Sequence, residues 1–476
     1  MSVAKNTRKI GLGLLGSGTV GEALQDLLFR DLGKRLGADL ELEIVKIYTR
    51  RPQGKKWYAK HRALFTSSAE EVIDHPRVDI LVEALGSQQE KQLQTYKSYI
   101  IRAFEKGKSV VTSDKAVLAR FGKEIWSAAE RCGRELRFEA CVGGGIPIIR
   151  SLTESFAAEE PESIYGIVNG TCNYILSEMR RSGKSYDAAL REAQERGYAE
   201  SDPKADTAGL DAEAKLILLA GVTFGVYLQP GIVWRKGIEE IQAIDFLYAD
   251  RKGRCTIKPL AAARREDDVL SGFVAPVLVP HDHFLATIDG ATNAIFFKGK
   301  RSAGGDGARD WNYVFVGPGA GGGPTAVAIL GDVCELARRR GSYRITDSAS
   351  RYTGQHLATA LTGAGKALTV KPADQIAAPF YIRFLVKDRP GIVGDICQTF
   401  GKMAINVSEI WQLSHGESEL RELAKSHRLS EKPGRMLPFV ITLERATAGQ
   451  IRTALDIIGR KDYLLVEPVW FPIWRN

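Results

Sequence analysis

No two of the six cysteines (Cys132, Cys141, Cys172, Cys255, Cys334, Cys397) stand close enough in sequence to make a metal or redox motif. That fits a reducing, cytoplasmic setting. The longest apolar run, Leu216 to Leu228 broken by Thr223, falls short of the ~20 residues a bilayer requires, so no membrane span is expected. Basic residues precede an apolar run within residues 8–24, but no A-x-A-like site follows, and a glycine pattern accounts for the run better than a signal peptide does. His281-Asp282-His283 lacks a third ligand in view and reads as a loop rather than a zinc site. Internal repeats and low-complexity tracts are also missing. The net charge of +9 is spread along the chain, which suits anionic small molecules and excludes a nucleic-acid footprint.

What remains is a globular composition, 44% hydrophobic and 26% charged over 476 residues. A single core stops growing near ~250–300 residues, so more than one domain is expected. Lys9 to Leu15 reads as a buried parallel strand. It runs into Gly16-Ser17-Gly18-Thr19-Val20-Gly21 and then a helical stretch from Glu22. Strand, G-x-G-x-x-G and helix in that order form a dinucleotide fingerprint. Gly16 makes the turn, Gly18 lets the backbone approach a pyrophosphate, and Gly21 lets helix and strand pack. A second strand, Leu42 to Tyr48, ends in Thr49-Arg50-Arg51, with Lys55-Lys56 behind it. Bases there suit the 2′-phosphate of NADP where an acid would suit NAD; they equally fit a solvated basic loop. The charged connection between Leu28 and Leu42 reads as an insertion.

Further strands are expected at Asp79 to Glu83, leading to Gly86-Ser87, at Ser109 to Thr112, leading to Lys115, and at Arg137 to Val142. Ligands bind beyond the C-terminal ends of such strands, which places Gly86, Ser87 and Lys115 where a cofactor or a carboxylate can be met. The glycines at 143–145 expose backbone carbonyls that, with Glu139, can ligate a hard cation. Strand-like runs at Cys255 to Leu260 and Phe273 to Pro280 predict a mixed or antiparallel sheet over the substrate. A glycine loop at 317–323 brings a late helix back towards the cofactor.

The richest chemistry lies between Gly197 and Lys215. Asp202-Pro203 reads as a turn and Asp206 as an N-cap. Asp211 and Lys215 share one helix face, acid before base, at the start of a helix apolar all round and therefore buried. A lysine so held can protonate a developing alkoxide. Glu200 and Asp206 can together hold a substrate ammonium group. After a Gly/Ala/Ser/Thr-rich stretch at 341–379, a β-α-β-β-α-β order begins near Phe380, the ferredoxin-like pattern. Its expected strands include Tyr463 to Trp470, and its charged stretch 414–436 reads as a mobile loop.

These motifs, in this order, closely resemble homoserine dehydrogenase: the fingerprint at 16–21, Thr112 to Lys115, Glu139 to Pro147, Asn169 to Tyr174, Gly197 to Lys215, and Gly319-Ala320-Gly321 with Pro324-Thr325. The tail resembles an ACT regulatory domain, carried by Asp388 to Ile392. The resemblance implies a Rossmann-type nucleotide-binding domain (1–145), a mixed-sheet catalytic and dimerisation domain (146–311), a return segment (312–345), a linker (346–379) and a ferredoxin-like ACT domain (380–476). It implies reversible reduction of L-aspartate 4-semialdehyde to L-homoserine with NAD(P)H, on the route to threonine, methionine and isoleucine. By the same resemblance Lys215 is the acid-base residue, Asp211 its orienting partner, and Lys115 serves cofactor and substrate. Glu200, Asp206, Gly170 and Thr171 meet the substrate. Gly16 to Gly21, Arg50, Arg51, Gly86, Ser87 and Gly321 meet the cofactor. Glu139, Val142, Gly144 and Ile146 hold a monovalent cation, usually sodium. The assembly is a homodimer or larger. Asp388, Gly391, Ile392 and Asn406 are the expected contacts of an amino-acid effector, threonine by default.

Two positions depart from the family pattern: Ser113-Asp114 where Ala-Asn is common, and Cys172 where Thr is usual. Two other readings stay open at this point. One is another NAD(P)-dependent amino-acid dehydrogenase, which needs no Asp211/Lys215 pair. The other is a sensor that binds cofactor and amino acid without turnover.

Overall fold

Short apolar runs alternating with helical stretches build parallel strands buried on both faces. The computed structural model describes residues 8–30, 40–86, 89–300, 310–342, 368–427, 429 and 435–475. In it, β1 (Arg8–Leu15), β2 (Leu40–Tyr48), β3 (Phe65–Thr66), β4 (Ile80–Glu83), β5 (Ser109–Thr112) and β6 (Leu136–Arg137) form one parallel sheet in the order β3-β2-β1-β4-β5-β6. This is the Rossmann order, and it reverses between β1 and β4, where such sheets take their ligands. Leu15 pairs with Glu83 and Glu83 with Thr112, so three strand ends are level at that edge. Helices α1 (Thr19–Arg30), α2 (Ala69–Ile73), α3 (Glu90–Glu105), α4 (Lys115–Arg131) and α5 (Ile148–Arg150) connect or follow these strands.

The chain divides into two compact units. The first comprises Met1–Ile164, Ala214–Pro230 and Asn293–Leu368. Its core is completed by a late helix: Ala326, Ile329, Val333 and Leu336 join Ile10, Leu12, Leu14 and Leu24 in one apolar cluster. The strand expected over Arg137 to Val142 stops at Arg137. Glu139–Cys141 coils into a 3-10 turn because the Glu139 carboxylate binds the N–H groups of Ile149 and Arg150 rather than pointing along a sheet. The insertion expected between Leu28 and Leu42 lies, at 31–39, outside the described residues.

The second unit comprises Tyr165–Glu213, Gly231–Thr292 and Thr369–Asn476. After β7 (Glu160–Ile167) come α6 (Gly170–Ser182), α7 (Tyr186–Glu195), α8 (Lys204–Thr207) and α9 (Leu210–Phe224). The strands β8 (Trp234–Arg235), β9 (Cys255–Glu266) and β10 (Val269–Pro280) follow, with α10 (Ala243–Tyr248) between the first two. β10 takes β9 antiparallel and β8 parallel. β11 (Thr292–Lys300), β12 (Asp310–Pro318) and α11 (Gly322–Ser342) come next in the chain, and then β13 (Thr369–Val370), parallel to β10. The sheet around β10 is therefore mixed, as the sequence predicts. The expected linker lies outside the described residues as far as 367. Its end is ordered, because β13 pairs with the free edge of β10.

The tail runs β14 (Ala377–Lys387), α12 (Ile392–Lys402), β15 (Val407–Trp411), α13 (Glu417–Ser426), β16 (Met436–Thr447), α14 (Ala448–Ile458) and β17 (Val469–Pro472). Its antiparallel sheet has the order β15-β16-β14-β17, a ferredoxin-like arrangement. Within 414–436, read as a loop, Glu417–Ser426 is helical, since Leu420, Leu423 and Ala424 cover Leu385 and Met436. The last strand is later and shorter than predicted. Leu464 makes a single bridge to Val386 and the ladder resumes only at Val469.

A buried ion pair fixes the tail sheet to α10. Arg383 Nε donates to Asp245 Oδ1 at 2.7 Å, and the Tyr381 hydroxyl donates to the same oxygen at 2.7 Å. Asp245 Oδ2 accepts the Gln242 N–H and so caps α10. Arg383 is 1% exposed and Asp245 0%, a burial that is tolerable only because both charges are paired and hydrogen-bonded. Among the described residues, no helix is long and apolar enough to cross a membrane.

Candidate active site

The three fingerprint glycines of the first unit play three different parts. Gly16 has φ +113°, and a Cβ there would lie 2.4 Å from the Ala84 carbonyl oxygen. A Cβ on Gly21 would lie 2.3 Å from the Gly16 oxygen, which is the helix–strand contact. At Gly18 a Cβ would meet nothing within 4 Å, so the approach is open. Ser17 is buried and accepts from Gln25 Nε2 at 3.1 Å, tying the loop to α1 and leaving main-chain groups for an anion. Thr19 is exposed and Val20 half-buried at the first turn of α1. The start of α11 returns to this loop: a Cβ on Gly322 would lie 2.9 Å from the Thr19 oxygen, and Gly321 before it has φ +112°.

At the end of β2, Arg50 and Arg51 are exposed. Lys55 pairs with Glu22 at 3.3 Å and Lys56 with Asp26 at 2.5 Å. Among the described residues, Arg50 and Arg51 make no ion pair, so of these four bases they are the two available to a phosphate. Ser87 lies outside the described residues; Gly86, just before it, has φ +68°.

The level ends of β4 and β5 carry a carboxyl pair that composition alone did not single out. Glu83 is fully buried; its Oε1 accepts the Leu85 N–H at 2.8 Å and its Oε2 accepts from the Thr112 hydroxyl at 2.5 Å. Thr112 Oγ1 in turn accepts the Asp114 N–H at 3.0 Å. Asp114, 4% exposed, caps α4 by accepting from Ala116 and Val117. Lys115 is the first residue of that helix. Burial first, and the Asp114 charge second, push the Glu83 carboxyl up to about 8.

In the second unit, the organising residue is Asn169, which the sequence offers only as a helix start. Its Oδ1 accepts the Cys172 N–H at 2.8 Å and caps α6. Its Nδ2 donates to Asp206 Oδ1 at 2.7 Å and to Asp211 Oδ2 at 2.9 Å. One amide thus brings together two predicted acids that would repel each other unbridged. Cys172, the departure from Thr, donates its thiol to the Asp206 carbonyl at 3.2 Å. Gly170 packs tightly, a Cβ there falling 2.7 Å from the Ala291 oxygen, and Thr171 donates to the Tyr198 carbonyl at 2.7 Å. Glu200 is exposed, its carbonyl accepting from Gln194.

Asp206 is not the N-cap of the long helix. It sits inside the short α8, and Gly209, with φ +78°, breaks the chain before α9 begins at Leu210. Asp211 and Lys215 stand one turn apart on α9, with Lys215 only 7% exposed. On the same helix Glu213 pairs with Arg235 at 3.0 Å and accepts the Gly231 N–H, so it is structural.

Around the glycines at 143–145, both Glu139 carboxylate oxygens are engaged by the N–H groups of Ile149 and Arg150 at 2.8 Å. Burial and the Asp332 carboxylate raise Glu139 to about 7. The Glu139 N–H donates to Asp332 Oδ2, a partner 193 residues away that leaves no local trace in the sequence. The Ile146 carbonyl accepts the Ile148 N–H at 2.8 Å. Gly143 and Gly144 both have positive φ, the second within 2.9 Å (as a Cβ) of the 319–320 backbone. The segment fits a hard cation held by main-chain oxygens and does not fit one held by the Glu139 carboxylate. Among the described residues, no group of three or more His, Cys, Asp or Glu could hold a metal ion.

In the tail, Gly391 (φ +88°) precedes α12 and Ile392 is buried in the core beneath it. The Asp388 N–H donates to the Arg435 carbonyl, and Asn406 Nδ2 donates to Glu444 at 3.1 Å.

The family model described as homoserine dehydrogenase matches residues 147–334, and the one described as its NAD binding domain matches residues 16–139. A homoserine dehydrogenase of Mycobacterium leprae is 36% identical over 85% of this chain and 87% of its own. Among solved structures, a homoserine dehydrogenase from Thiobacillus denitrificans aligns with TM-score 0.82 at 30% identity, covering 99% of both chains. A hyperthermophilic archaeal homoserine dehydrogenase, solved with NADPH, aligns with TM-score 0.57 at 25% identity over 70% of this chain and 98% of its own.

Proposed function

The chain belongs to the homoserine dehydrogenase family and is an oxidoreductase acting on a CH–OH group, and on that premise we propose how its own residues interconvert L-aspartate 4-semialdehyde and L-homoserine. Lys215 gives the aldehyde oxygen its proton, or takes it back from the alcohol. Its ammonium also stabilises the alkoxide as charge grows there. Asp211, one turn earlier on α9, keeps that ammonium aimed, and Asn169 keeps Asp211 in place. Glu200 and Asp206 take the substrate ammonium, with Gly170 and Thr171 beside them, and Lys115 serves substrate and cofactor. When bound, the nicotinamide supplies or accepts the hydride. The observation that carries this reading is the Asn169 bridge: one amide sets two carboxylates, the second of them one turn before a buried lysine.

Several finer assignments belong to the same proposal. Gly16, Ser17, Gly18, Thr19, Val20 and Gly21 receive the pyrophosphate at the start of α1, joined by Gly86, Ser87 and Gly321. Arg50 and Arg51 favour NADP through its 2′-phosphate; the archaeal relative solved with NADPH supports that choice. A monovalent cation, sodium by preference, is held by the main-chain oxygens of Glu139, Val142, Gly144 and Ile146. Residues 1–145 with 312–345 bind nucleotide, 146–311 provide catalysis and dimerisation, and 346–379 link to an ACT domain at 380–476. That tail takes an amino-acid effector, threonine first among candidates, at Asp388, Gly391, Ile392 and Asn406. The enzyme works as a cytoplasmic homodimer or larger assembly in threonine, methionine and isoleucine synthesis.

Initial rates with L-homoserine and either NADP or NAD, varied separately, test the reading. Fast NADP reduction supports the reaction and the arginine assignment together. Turnover with NAD while NADP inhibits strongly keeps the reaction and makes Arg50 and Arg51 an unproductive grip. Absence of turnover with either coenzyme in folded protein refutes it.

A further inference from the structure

Glu83 has no part in the chemistry above, yet residues of the first unit assigned to that chemistry are tied to it. It is the acid at the end of an otherwise apolar strand, Ile80-Leu81-Val82-Glu83, and the sheet closes over it completely. One carboxyl oxygen holds the Leu85 N–H, and so the Leu85-Gly86 turn at the nucleotide edge. The other holds Thr112, which holds the Asp114 N–H, and Asp114 caps the helix whose first residue is Lys115. Two elements assigned to the cofactor and the substrate therefore hang on one buried carboxyl group.

We propose that Glu83 is a positioning residue of this enzyme, fixing the Leu85-Gly86 turn and Lys115 together through the hydrogen bonds of its buried carboxyl group. Its kinetic consequence rests on the homoserine dehydrogenase reading; its effect on stability does not. Ionisation of Glu83 would set a second buried negative charge beside that of Asp114, at the start of the helix that carries Lys115. The cap on α4 then shares its helix dipole with a second anion, and the lysine is drawn towards the pair and off its aim.

The other groups facing this position come from three elements. Cys141 donates its thiol to the Thr112 carbonyl and is pushed well above the usual thiol range by burial. Tyr96 on α3 feels both carboxyls and is raised chiefly by burial; Tyr48 and Arg50 at the end of β2 act on the same hydroxyl. The Cys141 thiol and the Tyr96 hydroxyl therefore lie above Glu83 in their titration, which leaves Glu83, at about 8, the first of the three to ionise as pH rises. The stability tied to its proton is fully present below the ordinary carboxyl value. It is lost as pH climbs through the interval up to about 8.

The test compares full-length wild type, Glu83→Gln and Glu83→Ala in two measurements. In kcat/KM for homoserine against pH, wild type falls as pH passes about 8. Glu83→Gln, which cannot ionise, keeps an acceptor for the Leu85 N–H and turns an amide N–H towards Thr112 Oγ1 in place of the acceptor there; it stays within roughly threefold of wild type at neutral pH and lacks that fall. Glu83→Ala loses roughly tenfold to a hundredfold across the range, as expected when a site's geometry slips. An alkaline fall unchanged in Glu83→Gln, or wild-type rates in Glu83→Ala, overturns the proposal. The second measurement is melting temperature against pH: wild type loses stability relative to Glu83→Gln between the ordinary carboxyl range and about 8. Parallel curves overturn the proposal even if homoserine proves not to be a substrate, so the two failures are told apart.

Discussion

Replacing Asn169 by serine separates what its two ends do. Serine is as good an N-cap as asparagine, so α6 keeps its start and the Cys172 N–H keeps an acceptor. What is lost is the amide that donates to Asp206 at 2.7 Å and to Asp211 at 2.9 Å. Hydrogen bonds to charged groups contribute about 1.5–3 kcal/mol each. Losing both weakens the site by about 2–4 kcal/mol, since part of the gap is filled by water, or about 30- to 1000-fold in kcat/KM. The split is informative. If Asp206 grips the substrate and Asp211 aims Lys215, KM rises and kcat falls in the same variant. Asn169→Ala should show the same kinetic loss plus a lower melting temperature from the missing cap, about 1 kcal/mol or about 2–4 °C for a domain of this size. Steady-state kinetics with homoserine and a thermal melt decide the matter. Asn169→Ser with wild-type kcat/KM, or a loss confined to stability, would refute the argument that this amide organises the site.

Three further outcomes are expected. Gly18→Ala should fold normally but bind NADPH at least about tenfold more weakly by fluorescence titration, because its Cβ meets only the open approach; Gly21→Ala should lose about 1–3 kcal/mol of stability, because its Cβ runs into the Gly16 oxygen. Replacing Arg50 and Arg51 together by alanine should raise the apparent KM for NADP about tenfold to a hundredfold and leave that for NAD within about twofold, the charge-assisted contacts being worth about 1.5–3 kcal/mol. Arg383→Met should destabilise the protein by about 3–5 kcal/mol in denaturant melts by stranding Asp245, whereas the double change with Asp245→Leu should recover much of that loss.

The parts of this protein that were legible in its sequence are those where a residue type answers a local backbone demand. Gly16, Gly18 and Gly21 each answer a different one, and the structure keeps the three apart as the spacing implied. The apolar faces of β1, β4 and β5 were equally plain, since strands buried on both sides need continuous runs. What escaped reading was tertiary. Asn169 is visible as a cap, but its reach to acids 37 and 42 residues away leaves no local trace. Asp206 looked like a cap because Asp before a helix usually is one; Gly209 moved the helix start past it. Glu417–Ser426 reads as a loop because its charges hide the spacing of Leu420, Leu423 and Ala424, which matters only once Leu385 and Met436 are there to be covered. Glu83 did leave a signal, an acid closing an apolar strand, and that pattern deserves the weight given to the glycines.

The late helix α11 also sets an order in time. The parallel sheet is complete in sequence by Arg137, yet the helix that covers Ile10, Leu12 and Leu14 ends at Ser342. About 200 residues separate them, which a ribosome working at ~5–20 residues per second adds in roughly 10–40 s. Throughout that interval the apolar face of the nascent sheet has α1 on it and lacks α11, while the chain adds residues that belong to both units. The nucleotide-binding half therefore cannot finish folding as it emerges, and chains released before Ser342 should be sticky fragments and not small working domains.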